Sequence, residues 1–262
     1  MIFIRPNGAL GNMFFHIAAI WSLAKDNNDV LCLVERKTKI QELISDTRCD
    51  MEHAEKYLYL LNRFKNLQTD PGFLKNKKNV DTSFTYTPLE YKKGYLYRGY
   101  YQCEKWFKHH RKEILELFRP DHSFLPSIKK YEKYFGNIHL HVRRGDYLTL
   151  PNYHPVPSID YYTKALEMVP KDLKVLVFSD DLEWCRFNFI GDRFVFVDEK
   201  DYICVYVMAK MKYHIIANSS FSWWGAWMSE YEDKIVIAPE KWFGPDGPDS
   251  KDICPKEWII IK

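Results

Sequence analysis

Short apolar runs recur between residues 138 and 238 with helical patterns between them, and this rhythm restricts the chain more than any other feature. Ile138–Arg143, Val175–Phe178, Phe194–Val197, Ile215–Ala217 and Ile235–Ala238 read as buried strands. Helices are expected from Ser158 to Val169, after Asp181, over Ile203–Met211 and after Ser220. Strands alternating with helices give a parallel sheet with helices on both faces. The chain opens in the same way. Ile2–Arg5 is a strand, Gly8 and Gly11-Asn12 punctuate a loop, and Val30–Val34 is a second strand. Between them Phe14, Ile17, Ala18, Trp21 and Ala24 recur at helical spacing. Residues 36–93 are less regular, with a helical piece over Tyr57–Phe64 and a basic loop at Lys75, Lys77 and Lys78. Leu96–Tyr101 reads as a strand and Glu104–Phe118 as a helix placing Phe107, Ile114, Leu117 and Phe118 in a core. Pro120 closes that helix, and residues 120–136 read as a linker. Two α/β units follow, residues 1–135 and 136–262.

Ligands of such sheets bind beyond the carboxyl ends of the strands, so the polar turns matter most. In HLHVRRGDYL (139–148) a strand puts His139, His141 and Arg143 on one face and Leu140 and Val142 on the other. It ends in two adjacent arginines, Arg144 following Arg143, then Gly145 and Asp146. Fixed charge at the end of a buried strand calls for an anion. Ser179-Asp180-Asp181 follows a second strand and Asn218-Ser219-Ser220 a third. Glycines let backbone approach phosphate. Serines at a helix start offer hydroxyl and N–H donors to an anion. Arginine binds phosphate oxygens in pairs. A carboxylate can accept both N–H donors of guanine. Taken singly, each has a plainer reading. Gly8 and Gly11 serve as turn glycines, Asp180, Asp181 and Ser219 as helix caps, and Trp223, Trp224 and Trp227 as core. The pair His139/His141 has no third metal ligand at suitable spacing. The adjacent arginines are least explained by structure alone.

Bulk composition narrows the partners. Formal net charge is +3 and aromatic content 16%, which suits an anionic small ligand and argues against general nucleic-acid binding. The six cysteines, at 32, 49, 103, 185, 204 and 254, form no C-x-x-C motif. They are expected to be reduced thiols. No signal peptide or membrane-spanning run is evident, so the expected location is cytoplasmic.

HVRRGDY (141–147) resembles the H-x-R-R-G-D-Y motif of glycosyltransferase family 11, the α-1,2-fucosyltransferases. FSDD (178–181) and NSSFSWWGAWM (218–228) resemble that family's later motifs. GALGNMFF (8–15), GYYQCEKWF (99–107) and IAPEKWF (237–243) resemble further blocks, in order along nearly the whole chain. The resemblance implies a GT-B-like fold, two Rossmann-like halves facing across a cleft. It implies inverting transfer of L-fucose from GDP-β-L-fucose to a galactose 2-hydroxyl, with no metal or other cofactor. The partners implied are GDP-fucose and a galactose-terminated oligosaccharide or lipid-linked glycan, with at most peripheral membrane contact. By carry-over Arg143 and Arg144 hold the diphosphate, one of them in a structural role. His141 lines the nucleotide pocket, Asp180 or Asp181 takes guanine, and Ser219, Ser220 and Phe221 cradle phosphate and base. Gly11 and Asn12 reach the donor from the N-terminal half. Two routes stand for the acceptor's proton: Asp146 as base, or late loss to leaving-group oxygen or water. The chain departs from the pattern at Ala9, Met13 and His16, in the N-terminal loop. Fucose transfer in another linkage and a silent GDP-sugar binder are the alternatives.

Overall fold

The structure is a computed structural model describing residues 1–6, 8–36, 57–69, 79–81 and 84–262. Lys75, Lys77 and Lys78 lie outside the described residues. The class is α/β with two parallel sheets, as the strand–helix rhythm predicts. The chain divides into two compact units, Met1–Arg119 with Lys251–Ile253, and Pro120–Ser250 with Cys254–Lys262.

The first unit has strands β1 (Ile2–Ile4), β2 (Leu31–Arg36), β3 (Lys65–Thr69), β4 (Asn79–Asp81) and β5 (Leu96–Arg98). Their order is β3-β2-β1-β5-β4, with every pairing parallel. Helix α1 (Leu10–Asp26) starts at Leu10, four residues before the first residue of its apolar pattern, and buries Phe14, Phe15, Ile17 and Ala18 completely. The helical piece near Tyr57 is one turn, α2 (Leu58–Leu61). Strand β5 ends early because Gly99 (φ +146°) and Tyr101 (φ +50°) turn the chain. The helix expected from Glu104 to Phe118 is interrupted. Two 3-10 turns, Glu104–Trp106 and Lys108–His110, precede α3 (Arg111–Leu117). The break is at Phe107, which leaves helical geometry (φ −144°) and sets its buried ring 6.0 Å from Phe15. Ile114 and Phe118 are buried as expected; Leu117 is half-buried.

The second unit opens with α4 (Leu125–Lys129). Residues 120–136, expected to be a linker, are part of this unit. The Phe124 ring lies 4.8 Å from Tyr202, and Lys130 pairs with Glu199 at 3.0 Å. The strands are β6 (Ile138–Val142), β7 (Val175–Ser179), β8 (Phe194–Phe196), β9 (Tyr213–Ile215), β10 (Ile235–Pro239) and β11 (Ile259–Ile261). The helices between them are α5 (Ile159–Glu167), α6 (Leu182–Asn188), α7 (Asp201–Ala209) and α8 (Ser220–Trp227). Side-chain caps start three of them: Ser158 for α5, Asp181 for α6 and Ser219 for α8.

The sheet order is β11-β10-β9-β6-β7-β8, all parallel. The chain winds outward from β6 to β8, then returns to the other side of β6 with β9. This is the doubly wound order of dinucleotide-binding folds, and it opens a crevice where the winding reverses, beyond β6 and β9. On one face Ile138, Leu140 and Val142 pack with Tyr162, Ala165, Val177, Ile215 and Ile237. On the other, His139 lies 5.4 Å from Phe178 and 5.3 Å from His214. The tryptophans of α8 are core, with Trp223 and Trp227 stacked at 6.0 Å and Trp258 5.4 Å from Trp223. No helix among the described residues is long and apolar enough to cross a membrane.

Candidate functional site

Strand β6 delivers Arg143 and Arg144 to the switch point, and β7 delivers Asp180 and Asp181 beside them. The parallel register pairs Val142 with Ser179, so the residues leaving the two strands emerge level. Arg143 Nη2 donates to Asp146 Oδ1 at 2.6 Å, and its Nη1 lies 3.2 Å from Asp180 Oδ2. Arg144 is fixed more tightly. Its backbone N–H donates to Asp180 Oδ1 (2.9 Å), its Nε donates to Asp181 Oδ2 (3.0 Å), and its guanidinium lies 4.3 Å from the centre of the Trp184 ring. The Arg144 side chain is 19% exposed and that of Arg143 34%. The Trp184 N–H and the Arg144 guanidinium hold the Asp181 carboxyl below the usual carboxylate range, against its partial burial.

Gly145 is required by closeness. A Cβ there would stand 2.5 Å from Asp180 Oδ2. His141 is buried one step behind Arg143, 5.6 Å from the Phe221 ring. Burial and the Arg143 charge push its pKa down to about 3, so the ring is neutral, and its Nδ1 has no partner. His139 Nδ1 meets His214 Nδ1 at 3.0 Å, in a contact that binds β6 to β9. On the far side of the switch point Ser219 caps α8 by accepting the Phe221 N–H at 3.4 Å. Ser220 and Phe221 are half-buried on the first turn. Asn218 donates to Pro155 O and Trp242 O (2.8 and 3.0 Å), while its Oδ1 is buried without a partner.

The second unit thus brings together His141, Arg143, Arg144, Asp146, Asp180, Asp181, Ser219, Ser220 and Phe221. Gly11 and Asn12 belong to the first unit, at the start of α1. There Asn12 Oδ1 accepts from Gln102 Nε2 at 2.9 Å, joining the ends of β1 and β5. Gln102 Oε1 is buried and unpartnered. Sequence reading passed over Gln102, although a glutamine within the aromatic run GYYQCEKWF was its signal. It also missed Trp184, the platform under Arg144, and His154, whose ring stacks on Tyr147 at 4.4 Å. His139 and His141 belong to no metal-ligating group among the described residues.

Chemically, the arrangement offers an anion two guanidinium groups of fixed charge at a helix-capped crevice, with carboxylates that orient them. The chain matches the model of glycosyl transferase family 11 over residues 2–262. It is 31% identical to the O-antigen biosynthesis glycosyltransferase WbnK of Escherichia coli, over 97% of this chain and 98% of that protein. It is 28% identical to an alpha-1,2-colitosyltransferase of Escherichia coli, over 100% of this chain and 99% of that one. Among solved structures it is similar to NodZ alpha-1,6-fucosyltransferase soaked with GDP-fucose, at TM-score 0.47 and 13% identity, over 89% of this chain and 96% of that one. The heptosyltransferase WaaC of E. coli gives TM-score 0.47 at 8% identity, over 100% and 92%. With the family model spanning the described motifs from end to end, the chain belongs to glycosyl transferase family 11.

Proposed function

We propose that this glycosyltransferase moves L-fucose from GDP-β-L-fucose to the 2-hydroxyl of a galactose-type acceptor, with inversion and without a metal. The observation that carries the reading is the Arg143–Arg144 pair at the switch point, held by Asp146, Asp180 and Asp181. The acceptor oxygen bonds to fucose C1 as the bond from C1 to the β-phosphate oxygen breaks, and the electron pair leaves with GDP. Charge grows on the diphosphate as it departs, and fixed guanidinium groups are suited to stabilise it there. Of the two, Arg143 is the better placed to meet phosphate. Arg144 already has Asp181 and Trp184 as partners and serves to shape the turn. His141, neutral and buried beside Phe221, suits a nucleobase rather than a phosphate. Ser219 and Ser220 supply donors at the start of α8. Gly11 and Asn12 are assigned to the donor by family resemblance.

The colitosyltransferase relative favours a second reading of the same site, in which the transferred sugar is colitose and the 1,2 linkage is kept. The test is GDP release from a GDP-fucose and GDP-colitose pair with EDTA present, across galactose-terminated acceptors, beside Arg143→Ala. Acceptor-dependent release that survives EDTA and falls at least a hundredfold in Arg143→Ala supports the reading, and the preferred donor decides between the sugars. Release abolished by EDTA and restored by a divalent ion would overturn the metal-free mechanism.

A further inference from the structure

An inverting transfer must place the acceptor's hydroxyl proton somewhere, and the groups already described at the switch point are poorly suited to take it. Both oxygens of Asp181 are engaged, with the Trp184 N–H and Arg144 Nε. Both oxygens of Asp180 are engaged, with the Arg144 N–H and Arg143. Asp146, one of the two routes the sequence leaves open, has its Oδ1 taken by a 2.6 Å charge-assisted bond from Arg143. His141 is buried, with the Arg143 charge beside it. Tyr147 is buried, and its hydroxyl, pushed up to about 12 by that burial, keeps its proton to donate to Asn218 O.

His154 differs from all of these. It sits in the loop between β6 and α5, half-buried, its ring stacked on Tyr147 with an interplanar angle of 10°. Tyr153 at 4.6 Å and Phe243 at 5.7 Å close two further sides. The next residue, Pro155, accepts from Asn218, so the loop is tied to the end of β9. Nδ1 is buried without a partner, whereas Nε2 is not one of the buried unpartnered atoms. The charged and titratable groups around the ring are Arg143, Asp146, Tyr147 and Tyr153. Burial lowers the ring's affinity for a proton, Asp146 opposes that and Arg143 adds to it, so the imidazole is neutral at pH 7 and has a carboxylate at hand when it becomes imidazolium.

We infer that His154 accepts the proton of the acceptor hydroxyl through Nε2, with Tyr147 and Phe243 holding its ring in place. As the bond from acceptor oxygen to C1 forms and the bond from C1 to the β-phosphate oxygen breaks, the hydroxyl proton passes to Nε2 and from there to solvent. The inference rests on the transfer reading given above.

The test compares wild type with His154→Gln and His154→Phe, the latter keeping an aromatic ring on Tyr147 without a nitrogen. Single-turnover rates are measured from pH 5 to 9, with GDP binding and donor hydrolysis by water measured alongside. Expected are a rate loss of roughly 10²–10³-fold in both variants, GDP affinity within threefold of wild type, and loss of the acid limb of the pH–rate profile. Imidazole in the buffer should restore part of the rate to His154→Ala. A variant within threefold of the wild-type rate, or one that keeps the acid limb, overturns the inference while the transfer reading stands. If wild type neither transfers nor hydrolyses the donor, the reading itself falls and this inference with it.

Discussion

Arg143 and Arg144 are neighbours in sequence, but their surroundings give them separate duties. Arg144 stacks on Trp184 and directs Nε, the one donor a lysine lacks in that position, at Asp181. Arg144→Lys keeps the charge yet loses the planar fork and the stacking face. We expect it to cost about 1–2 kcal/mol of stability, from one charge-assisted hydrogen bond and one cation–π contact. Arg143→Lys should leave the melting temperature within about 2 °C while reducing transfer at least tenfold. Calorimetry and initial rates on the two variants check this, and equal thermal losses would contradict the division of roles. Gly145 makes a sharper case. Its missing Cβ is the space that Asp180 Oδ2 occupies, so Gly145→Ala must displace a carboxylate bonded to Arg144 N–H. The expected result is GDP binding weakened roughly tenfold or more, corresponding to one lost charged hydrogen bond. Titration calorimetry with GDP reads it directly, and unchanged affinity would mean that Asp180 does not set the turn.

Most elements of the second unit were legible because a parallel sheet covered on both faces writes its strands as unbroken apolar runs, although β9 lies two residues before its reading and β11 was passed over. The ends of β6, β7, β8 and β10 lie within a residue of the sequence reading, and Ser158, Asp181 and Ser219 cap helices as their residue types suggest. Strands β3 and β4 were missed because KNLQT and NVD carry no such run; their pairing with β2 and β5 makes them strands. The long helix before Pro120 was read through its interruption, since the Phe107 ring follows a tertiary contact with Phe15 that no local pattern encodes. The motif residues of the site were visible, but their partners were not. Which carboxylate meets which arginine follows from the Val142–Ser179 register. Helix packing shows the same dependence. Gly225 of α8 lies where a Cβ would stand 2.7 Å from Met208 Cβ of α7, a rigid neighbour rather than a flexible tip. Gly225→Ala should therefore force α7 and α8 apart, at a cost of about 1–3 kcal/mol. A urea midpoint unchanged from wild type would mean that the two helices separate without loss.

For the whole molecule, the buried histidines tie both units to pH in the same direction. His16 of the first unit donates from Nε2 to Tyr97 O (3.1 Å), but burial outweighs that bond and brings its pKa down to about 4. In the second unit burial pushes His139, His141 and His214 down as well, with His141 at about 3 and the charge of a neighbouring side chain adding to each shift. In the unfolded chain these rings titrate near their ordinary value, roughly 6.5. Between that value and the lower folded ones the unfolded state binds more protons, so stability rises with pH through this window and falls on acidification. The contribution is complete above about pH 6.5 and declines by about 1.4 kcal/mol per pH unit for each histidine until its folded pKa is reached. Carboxylates held low, such as Asp26 beside His109 and His110, lose their contribution only at more acid pH, which keeps the two effects apart. Urea midpoints should therefore be level from pH 7 to 8 and fall steeply between pH 6.5 and 5. The second unit, carrying three of the four rings, should lose stability faster than the first, and His16→Gln should flatten the slope of the first unit alone. Equal midpoints at pH 7.5 and 5 would show that these rings find protons or partners in the folded chain that their burial does not provide.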